Sequence, residues 1–394
     1  MKKIFNLLMF VSFITILSSC TKTDEFLDKK PLGDYSEIDV WSDPALIETF
    51  VNSMYRNALG FPFTIERLSD YSDESHFGPD WGVLNFNKGL MTSDGLQGWS
   101  TDWGNGDPTA HTLHFRWDPL YGNARRANIF FSKVSPTKLT AADEKLKDLS
   151  GQAYFLRAWT YFYLTNLYGG VPIITKVYGL NDEFKVARNS YDDCIKFIIG
   201  QIDSASMYLP GTYATNGRIT KGAALALKAR VLLYAASDLH NSAKNTVVTS
   251  GFSKPDLLGY TGGDATARWT AAKNAAKAVI DLGKYSLYKA TPAATDSVAN
   301  NFVELFTSKG TNEDILLQFF SPKTDESWSG YNPALYCGPN GYHNWGNNNP
   351  LGDLVDDYEM KDGSRFDWNN PAQKANPYAK RDARFYATVL YEGV

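Results

Sequence analysis

The sequence predicts an all-α protein in which paired helices carry a loop-rich face. Residues 151–168 and 219–236 repeat apolar side chains at helical spacing. Capping and stop residues bound the predicted helices, as Ser190 and Pro210 do for the one between them. The stretches between helices are rich in Gly, Asn and aromatic residues that follow neither a helical nor a strand period.

The stretch 151–172 contains the helix around which the other helices are expected to pack. Two apolar stripes run along it, so neighbouring helices should cover both of its sides. The stripes are Ala153, Leu156, Tyr163 and Leu167, and Phe155, Ala158, Trp159 and Phe162. Gly169 and Gly170 can form the turn that ends a helix, and Pro172 cannot continue it. The aromatic side chains of this helix are therefore expected to be scaffold, not ligand contacts.

Residues 1–19 have the pattern of a lipoprotein signal peptide. Lys2 and Lys3 precede an apolar run at 4–17 that is short for a membrane span. Residues 17–20, Leu-Ser-Ser-Cys, resemble a bacterial lipobox, which implies cleavage before Cys20 and its lipidation, palmitate included. The acidic tether at 21–25 resembles signals that place lipoproteins on the outer face of the outer membrane. The alternative is a plain signal peptide with an incidental cysteine.

The next elements are predicted in chain order. Residues 20–42 should be a tether followed by an extended segment. A helix is expected over 43–59, with Pro44 at the first helical position. Residues 61–118 are loop-rich, and a second helix is expected over 121–134.

The later helices are expected to form pairs. The central helix should pair with the helix that follows Ser190, and the helix at 219–236, capped by Thr220, with the one at 269–282. Ala153 and Ala223 lie about two tetratricopeptide periods apart, at roughly 34 residues each. We therefore predict degenerate tetratricopeptide-type packing over 43–290. An unrelated all-α bundle is the alternative.

Residues 291–394 are predicted to form a loop-rich C-terminal region. Its expected elements are helices at 301–307 and 351–358, a buried strand or extended segment at 314–320, and a β-like run at 385–391.

The charge and the aromatic content of the chain bear on which classes of ligand it could bind. A net charge of −4 without a basic run gives no reason to expect nucleic-acid binding. Aromatic residues make up 14% of the chain, more than a core needs, so some should serve a surface. No Cys or His has zinc-ligand spacing, and a disulfide between Cys194 and Cys337 is not favoured; neither metal nor cofactor is expected.

Two aromatic groups in polar loops are the candidate ligand-binding residues. A sugar ring offers an apolar face that flat aromatics match and a hydroxyl rim that Asn, Asp and Arg match. Loops on a rigid scaffold are where binding commonly occurs. The candidates are Trp81, Trp99 and Trp103 in one group, and Trp328, Tyr331, Tyr336, Tyr342 and Trp345 in the other. The alternative is that each packs its own loop or contacts a partner protein.

Three sequence blocks resemble one family, the SusD/RagB outer-membrane lipoproteins. The first is Phe-Leu-Arg-Ala at 155–158 with Tyr-Gly-Gly-Val-Pro at 168–172. The second is residues 218–230, and the third joins 358–363 to the Lys-Arg-Asp-Ala-Arg-Phe run at 380–385. The lipobox also fits, and the resemblance covers residues 20–394. Family members continue for a long C-terminal stretch after the third block, so the C-terminal region here is expected to be truncated.

The resemblance implies a tetratricopeptide-like helical fold with an elaborated loop face. It also implies a cell-surface protein that captures oligosaccharides and delivers them to a SusC-type TonB-dependent transporter of the outer membrane. Family members that bind peptides are one alternative, and a purely structural lid on the transporter is another.

No enzyme site is expected. Two acidic runs, at 70–74 and 353–359, could supply the carboxylate pair of a glycosidase, but such runs are commonly solvated faces or caps. His111 and His114 lack metal-ligand partners, and the chain has no nucleophile elbow, phosphate loop or dinucleotide fingerprint. Arg381, Asp382 and Arg384 fit a structural ion-pair cluster better than a catalytic site.

Overall fold

The structure of the protein is a computed structural model, and it forms two compact units, Met1–Phe50 and Val51–Val394. The residues that it describes are 36–59, 69, 72–76, 78, 117–214, 217–246, 250–294, 297–319, 335 and 337–391.

The described part of the first unit consists of helix α1 (Glu37–Ser42) and the start of helix α2 (Pro44–Ala58). Ser36 and Asp39 form a capping box, in which the Ser36 hydroxyl accepts from the Asp39 N–H at 3.2 Å. The prediction of an extended segment up to residue 42 is therefore wrong for 37–42. The helix predicted over 43–59 is confirmed.

Five helices of the second unit pack against their neighbours in chain order, α3 on α4, α4 on α5, α5 on α6 and α6 on α7. They are α3 (Trp117–Lys133), α4 (Glu144–Tyr168), α5 (Tyr191–Tyr208), α6 (Lys221–Ala236) and α7 (Ala265–Asp281). Both predicted pairs, α4 with α5 and α6 with α7, are confirmed. The predicted Ser190 and Thr220 caps also form, whereas α7 begins one turn early because the Asp264 side chain caps it.

The central helix α4 is buried on most of its circumference, as its two apolar stripes predict. Its one buried cation is Arg157, which donates from Nε to Gln201 Oε1 at 2.8 Å and from Nη1 to Asn128 Oδ1 at 3.1 Å. The guanidinium carbon also lies 4.3 Å from the centre of the Phe131 ring. Burial lowers the pKa of Arg157 to about 10, and the side chain joins α4 to both flanking helices.

The turn that ends α4 requires two glycines. Gly169 has a φ of 72°, and its N–H donates to the Thr165 carbonyl at 2.8 Å. Gly170 lies so close to the backbone of Asn189 that a Cβ would overlap that residue's carbonyl oxygen. The sequence therefore needs Gly at both positions, for conformation at the first and for close approach at the second.

Cys194 and Cys337 are both free. The Cys194 sulfur is buried and accepts a hydrogen bond from the Val171 N–H at 3.3 Å, just after the glycine exit. No helix within the described ranges is long and apolar enough to cross a bilayer.

The described residues of the C-terminal region include four short helices and one strand that pairs with an earlier one. The helices are α8 (Val298–Thr307), α9 (Gly352–Asp357), α10 (Pro371–Ala375) and α11 (Ala383–Thr388). Strands β1 (Ser75–His76) and β2 (Asn349–Pro350) are antiparallel, with Ser75 opposite Pro350. The helices predicted at 301–307 and 351–358 are confirmed.

Two strand predictions for this region are wrong. Residues 385–391 do not form a β-like run, because the Asp382 side chain caps α11 and Phe385 is fully buried against the rings of Tyr358, Tyr378 and Tyr391. Residues 314–319 do not form the predicted buried strand, and Phe319 is half exposed. The alternative of an extended segment stays a prediction.

The Arg-Asp-Ala-Arg block is split between two roles. Arg381 is 2% exposed and donates to the carbonyl oxygens of Pro377 at 2.8 Å, Tyr358 at 2.8 Å and Val355. It therefore binds two carbonyls at the end of α9, where an arginine is favoured, and a third just after α10. Arg384 instead pairs with Asp382 at 2.8 Å on the surface. The predicted ion-pair cluster thus holds for these last two residues, while Arg381 is an anchor for the backbone.

Candidate functional site

The structure describes two of the eight predicted ligand-binding residues, Tyr342 and Trp345. Outside the described residues lie Cys20, Trp81, Trp99, Trp103, Trp328, Tyr331 and Tyr336, as do His111 and His114. The ligand-binding role of the aromatic group remains a prediction.

The loop that carries Tyr342 and Trp345 is bent by residues in the left-handed region. Gly341 has a φ of 99°, His343 of 62° and Gly346 of 60°. A non-glycine residue with positive φ is uncommon and is held in place by its surroundings. Here the Trp345 N–H donates to the Leu335 carbonyl at 2.8 Å, and the Gly346 N–H to the Gly338 carbonyl at 3.0 Å. The loop is therefore fixed by its own main-chain hydrogen bonds.

The end of this loop is tied to the chain that leads into the first aromatic group. Besides the β1–β2 pair, the Leu351 N–H donates to the Glu74 carbonyl at 2.9 Å, and Asn348 Nδ2 lies 3.0 Å from Ser75 Oγ. A Cβ at Gly78 would overlap the carbonyl oxygen of Gly346. The chain three residues before Trp81 therefore meets the chain just after Trp345.

The two described aromatics differ in exposure. The Tyr342 side chain is 79% exposed, and Trp345 is partly buried. Asn340, His343 and Asn344 surround them in sequence, the first two of them exposed. A flat ring in solvent, flanked by amide and imidazole groups, can stack on the apolar face of a sugar and hydrogen-bond its rim.

The acidic run at 353–359 is built into local structure. Asp356 Oδ2 accepts a hydrogen bond from the Trp368 indole N–H at 2.6 Å. In the part of the chain that the structure describes, no three His, Cys, Asp or Glu residues are grouped as a metal site would require.

A cleft beside the central helix was missed by the sequence reasoning. It has a volume of about 610 Å³, within the usual range of ligand pockets. Its lining includes Trp159 and Tyr163 of α4, which were expected to be scaffold, together with Arg56 and Arg230 from the neighbouring helices α2 and α6. The available signal was that Trp159 and Tyr163 lie one turn apart on the same face of α4, so two large rings share a face that its neighbours need not cover completely.

The comparisons with known proteins match both parts of the chain to related family models. A family described as "Starch-binding associating with outer membrane" matches residues 25–233, more than half of the chain, and the SusD family matches residues 312–394. Two SusD-like proteins of Formosa agariphila are 29% identical over 144 residues and 24% identical over 231 residues. These alignments cover 36% and 57% of this chain, and 27% and 42% of the relatives.

Solved structures have the same fold. A SusD-like protein from Bacteroides fragilis NCTC 9343 matches with a TM-score of 0.64 and 24% identity, over 91% of this chain and 62% of its own. A SusD-like carbohydrate binding protein from the same organism matches with a TM-score of 0.60 and 20% identity, over 90% of this chain and 61% of its own. The chain thus spans about three fifths of these structures and less than half of the curated relatives.

Proposed function

The chain belongs to the SusD family, and on that premise we propose that it is a cell-surface lipoprotein that captures oligosaccharides and delivers them to a SusC-type TonB-dependent transporter. The two loop aromatic groups would form the capture site. No bond would be made or broken, and no cofactor would be needed.

The observation that carries the capture proposal is the tie between the two loop regions. Backbone pairing at 75–76 and 349–350 brings the ends of both aromatic loops together. Within the described part of this site, Tyr342 is an exposed ring on a loop that its own hydrogen bonds fix. A pre-fixed ring loses little conformational entropy on binding, which favours affinity. The carbohydrate-binding protein of the same fold is consistent with this ligand class.

The test is affinity electrophoresis of the purified protein in gels that contain soluble starch, a neutral β-glucan or an acidic plant polysaccharide. At least one should retard the protein. An aromatic stack contributes about 0.5–1.5 kcal/mol, so Tyr342→Ala and Trp345→Ala should each weaken binding by roughly 2- to 13-fold. Trp269→Ala is the control, because Trp269 is an exposed ring on α7, 46% exposed and outside the loops.

Two results would count against oligosaccharide capture. If no polysaccharide retards the protein, the peptide-binding and structural-lid alternatives gain support. If the protein instead releases reducing ends from a glycan, and loses this activity on Asp353→Asn with Asp356→Asn, it is a surface glycosidase.

The anchor and the transporter are proposed on the sequence and the family. Lipidation at Cys20 would hold the chain on the outer membrane, facing the exterior, since multiple acyl chains give firm anchoring. Cells that express the protein should incorporate labelled palmitate into it, and Cys20→Ser should abolish the label and release the protein from membranes. Co-purification of a large outer-membrane barrel protein with the wild-type chain would test the transporter.

A further inference from the structure

We propose that the cleft beside the central helix is a second binding site, which takes an anionic saccharide that carries carboxylate or sulfate groups. This inference rests on the proposed carbohydrate-binding function. It concerns residues of α2, α4 and α6 that are separate from the loop aromatics.

The first support is the charge of the cleft. Arg56, Arg218 and Arg230 line it, and none of the described lining residues is acidic. Arg56 and Arg230 are exposed, and within the described ranges neither forms an ion pair. Three guanidinium groups around one cavity attract an anion, and those of Arg56 and Arg230 can each bind a carboxylate or sulfate through two parallel hydrogen bonds.

The second support is that one guanidinium is already oriented. Arg218 Nη1 donates to Asn52 Oδ1 at 2.6 Å and lies 3.2 Å from Gln152 Oε1. Its guanidinium carbon is 5.5 Å from the centre of the Tyr55 ring. Both amides are neutral, so they hold the group without cancelling its charge. A cation that is held in place before binding loses less entropy when the ligand arrives.

The third support is the aromatic wall of the cleft. Trp159 and Tyr163 lie on one face of α4 with ring centres 5.3 Å apart, and Tyr55 and the half-exposed Phe319 also line the cavity. Rings next to guanidinium groups suit a ligand with flat apolar faces and acidic substituents.

These walls favour a saccharide over an acidic peptide. An extended peptide is commonly recognised by an unpaired strand edge that hydrogen-bonds its backbone. Helices α2, α4 and α6 supply six of the thirteen lining residues, and backbone groups inside a helix already bond within the helix. The other described lining residues, Leu59, 217–218 and 316–319, form no strand edge. The cleft thus offers rings and guanidinium groups, which match a sugar acid.

The test is titration calorimetry of the full chain with an oligogalacturonate, a neutral maltooligosaccharide of equal length and poly-glutamate. The oligogalacturonate should bind, more weakly at higher salt. Arg56→Gln and Arg230→Gln should each weaken its binding about tenfold, since a charge-assisted hydrogen bond contributes about 1.5 kcal/mol or more. Arg365→Gln removes another exposed charge, outside the cleft, and should leave oligogalacturonate binding unchanged.

Each outcome decides a separate point. Equal oligogalacturonate binding by all four proteins would overturn the proposed site. Tighter binding of poly-glutamate, lost in the two cleft variants, would replace the saccharide with an acidic peptide. Binding of the neutral sugar alone, dependent on Tyr342, would overturn this inference and leave the proposed function standing. If no saccharide binds at all, both proposals fail.

Discussion

Replacing Arg381 by Met should destabilise the protein far more than the same change at Arg384. The Arg381 guanidinium donates to three carbonyl oxygens, those of Val355, Tyr358 and Pro377, in a residue that is 2% exposed. Methionine fills similar space but donates no hydrogen bond, so the three carbonyls lose this donor. A buried polar group without a partner costs about 1–3 kcal/mol. At the lower end of that range, the three together reduce the free energy of unfolding by about 3 kcal/mol.

Arg384→Met is the matched control in the same sequence block. The Arg384 side chain is 60% exposed, and its partner Asp382 is 27% exposed. Ion pairs in such positions contribute about 0.2–1 kcal/mol, because water and salt screen them. The control should therefore lose less than about 1 kcal/mol.

The assay is urea denaturation followed by far-ultraviolet circular dichroism, with limited proteolysis to show whether the region around α9 opens first. The expected result is a clear separation of the two variants and earlier cleavage near residues 355–381 in Arg381→Met. Equal losses in the two variants would refute the assignment of Arg381 as the buried anchor.

Two further predictions concern close packing and pH. Gly170→Ala should lower the free energy of unfolding by about 1–3 kcal/mol, because the new Cβ would overlap the Asn189 carbonyl oxygen. Gly200→Ala, in open space within α5, should raise the free energy of unfolding. Urea midpoints in the opposite order would contradict this prediction. Burial lowers the pKa of His240 from 6.5, so the unfolded chain takes up a proton before the folded chain as the pH falls through 6.5. The free energy of unfolding should therefore drop between pH 7 and pH 5. It should drop less in His240→Phe, which can keep the ring stack on Tyr191 at 4.3 Å. If urea denaturation shows equal losses of stability in the two proteins, His240 is not responsible for the pH dependence.

The helices could be predicted because their signals are local. The Ser190 and Thr220 hydroxyls cap their helices where the sequence places them, and the apolar stripes of α4 are buried as their spacing predicts. The β-like run predicted at 385–391 was wrong although the aromatic and β-branched residues of this segment are typical of a strand. What decides its structure is burial of Phe385 among rings that are distant in sequence, and this tertiary packing overrides propensity.

For the candidate site, the sequence could predict the types of residue but not their arrangement in space. Tyr342 and Trp345 follow neither a helical nor a strand period, and the structure places both in a loop. The pairing of Ser75 with Pro350 joins positions 275 residues apart, which no local pattern reveals. The cleft was hidden for the same reason, because Arg56, Trp159 and Arg230 each occupy an ordinary position on a separate helix.

The two proposed sites differ in which side chains can be replaced to change ligand specificity without loss of protein stability. Tyr342 is 79% exposed on a loop that main-chain hydrogen bonds hold, so its side chain can be replaced at little structural cost. Trp159 stacks on the buried Phe155 at 6.0 Å, and replacing it would disturb the packing of the central helix. In the cleft, the exposed side chains of Arg56 and Arg230 can be replaced without disturbing that packing. Specificity at the loop site would therefore change through its rings, and specificity in the cleft through its charges.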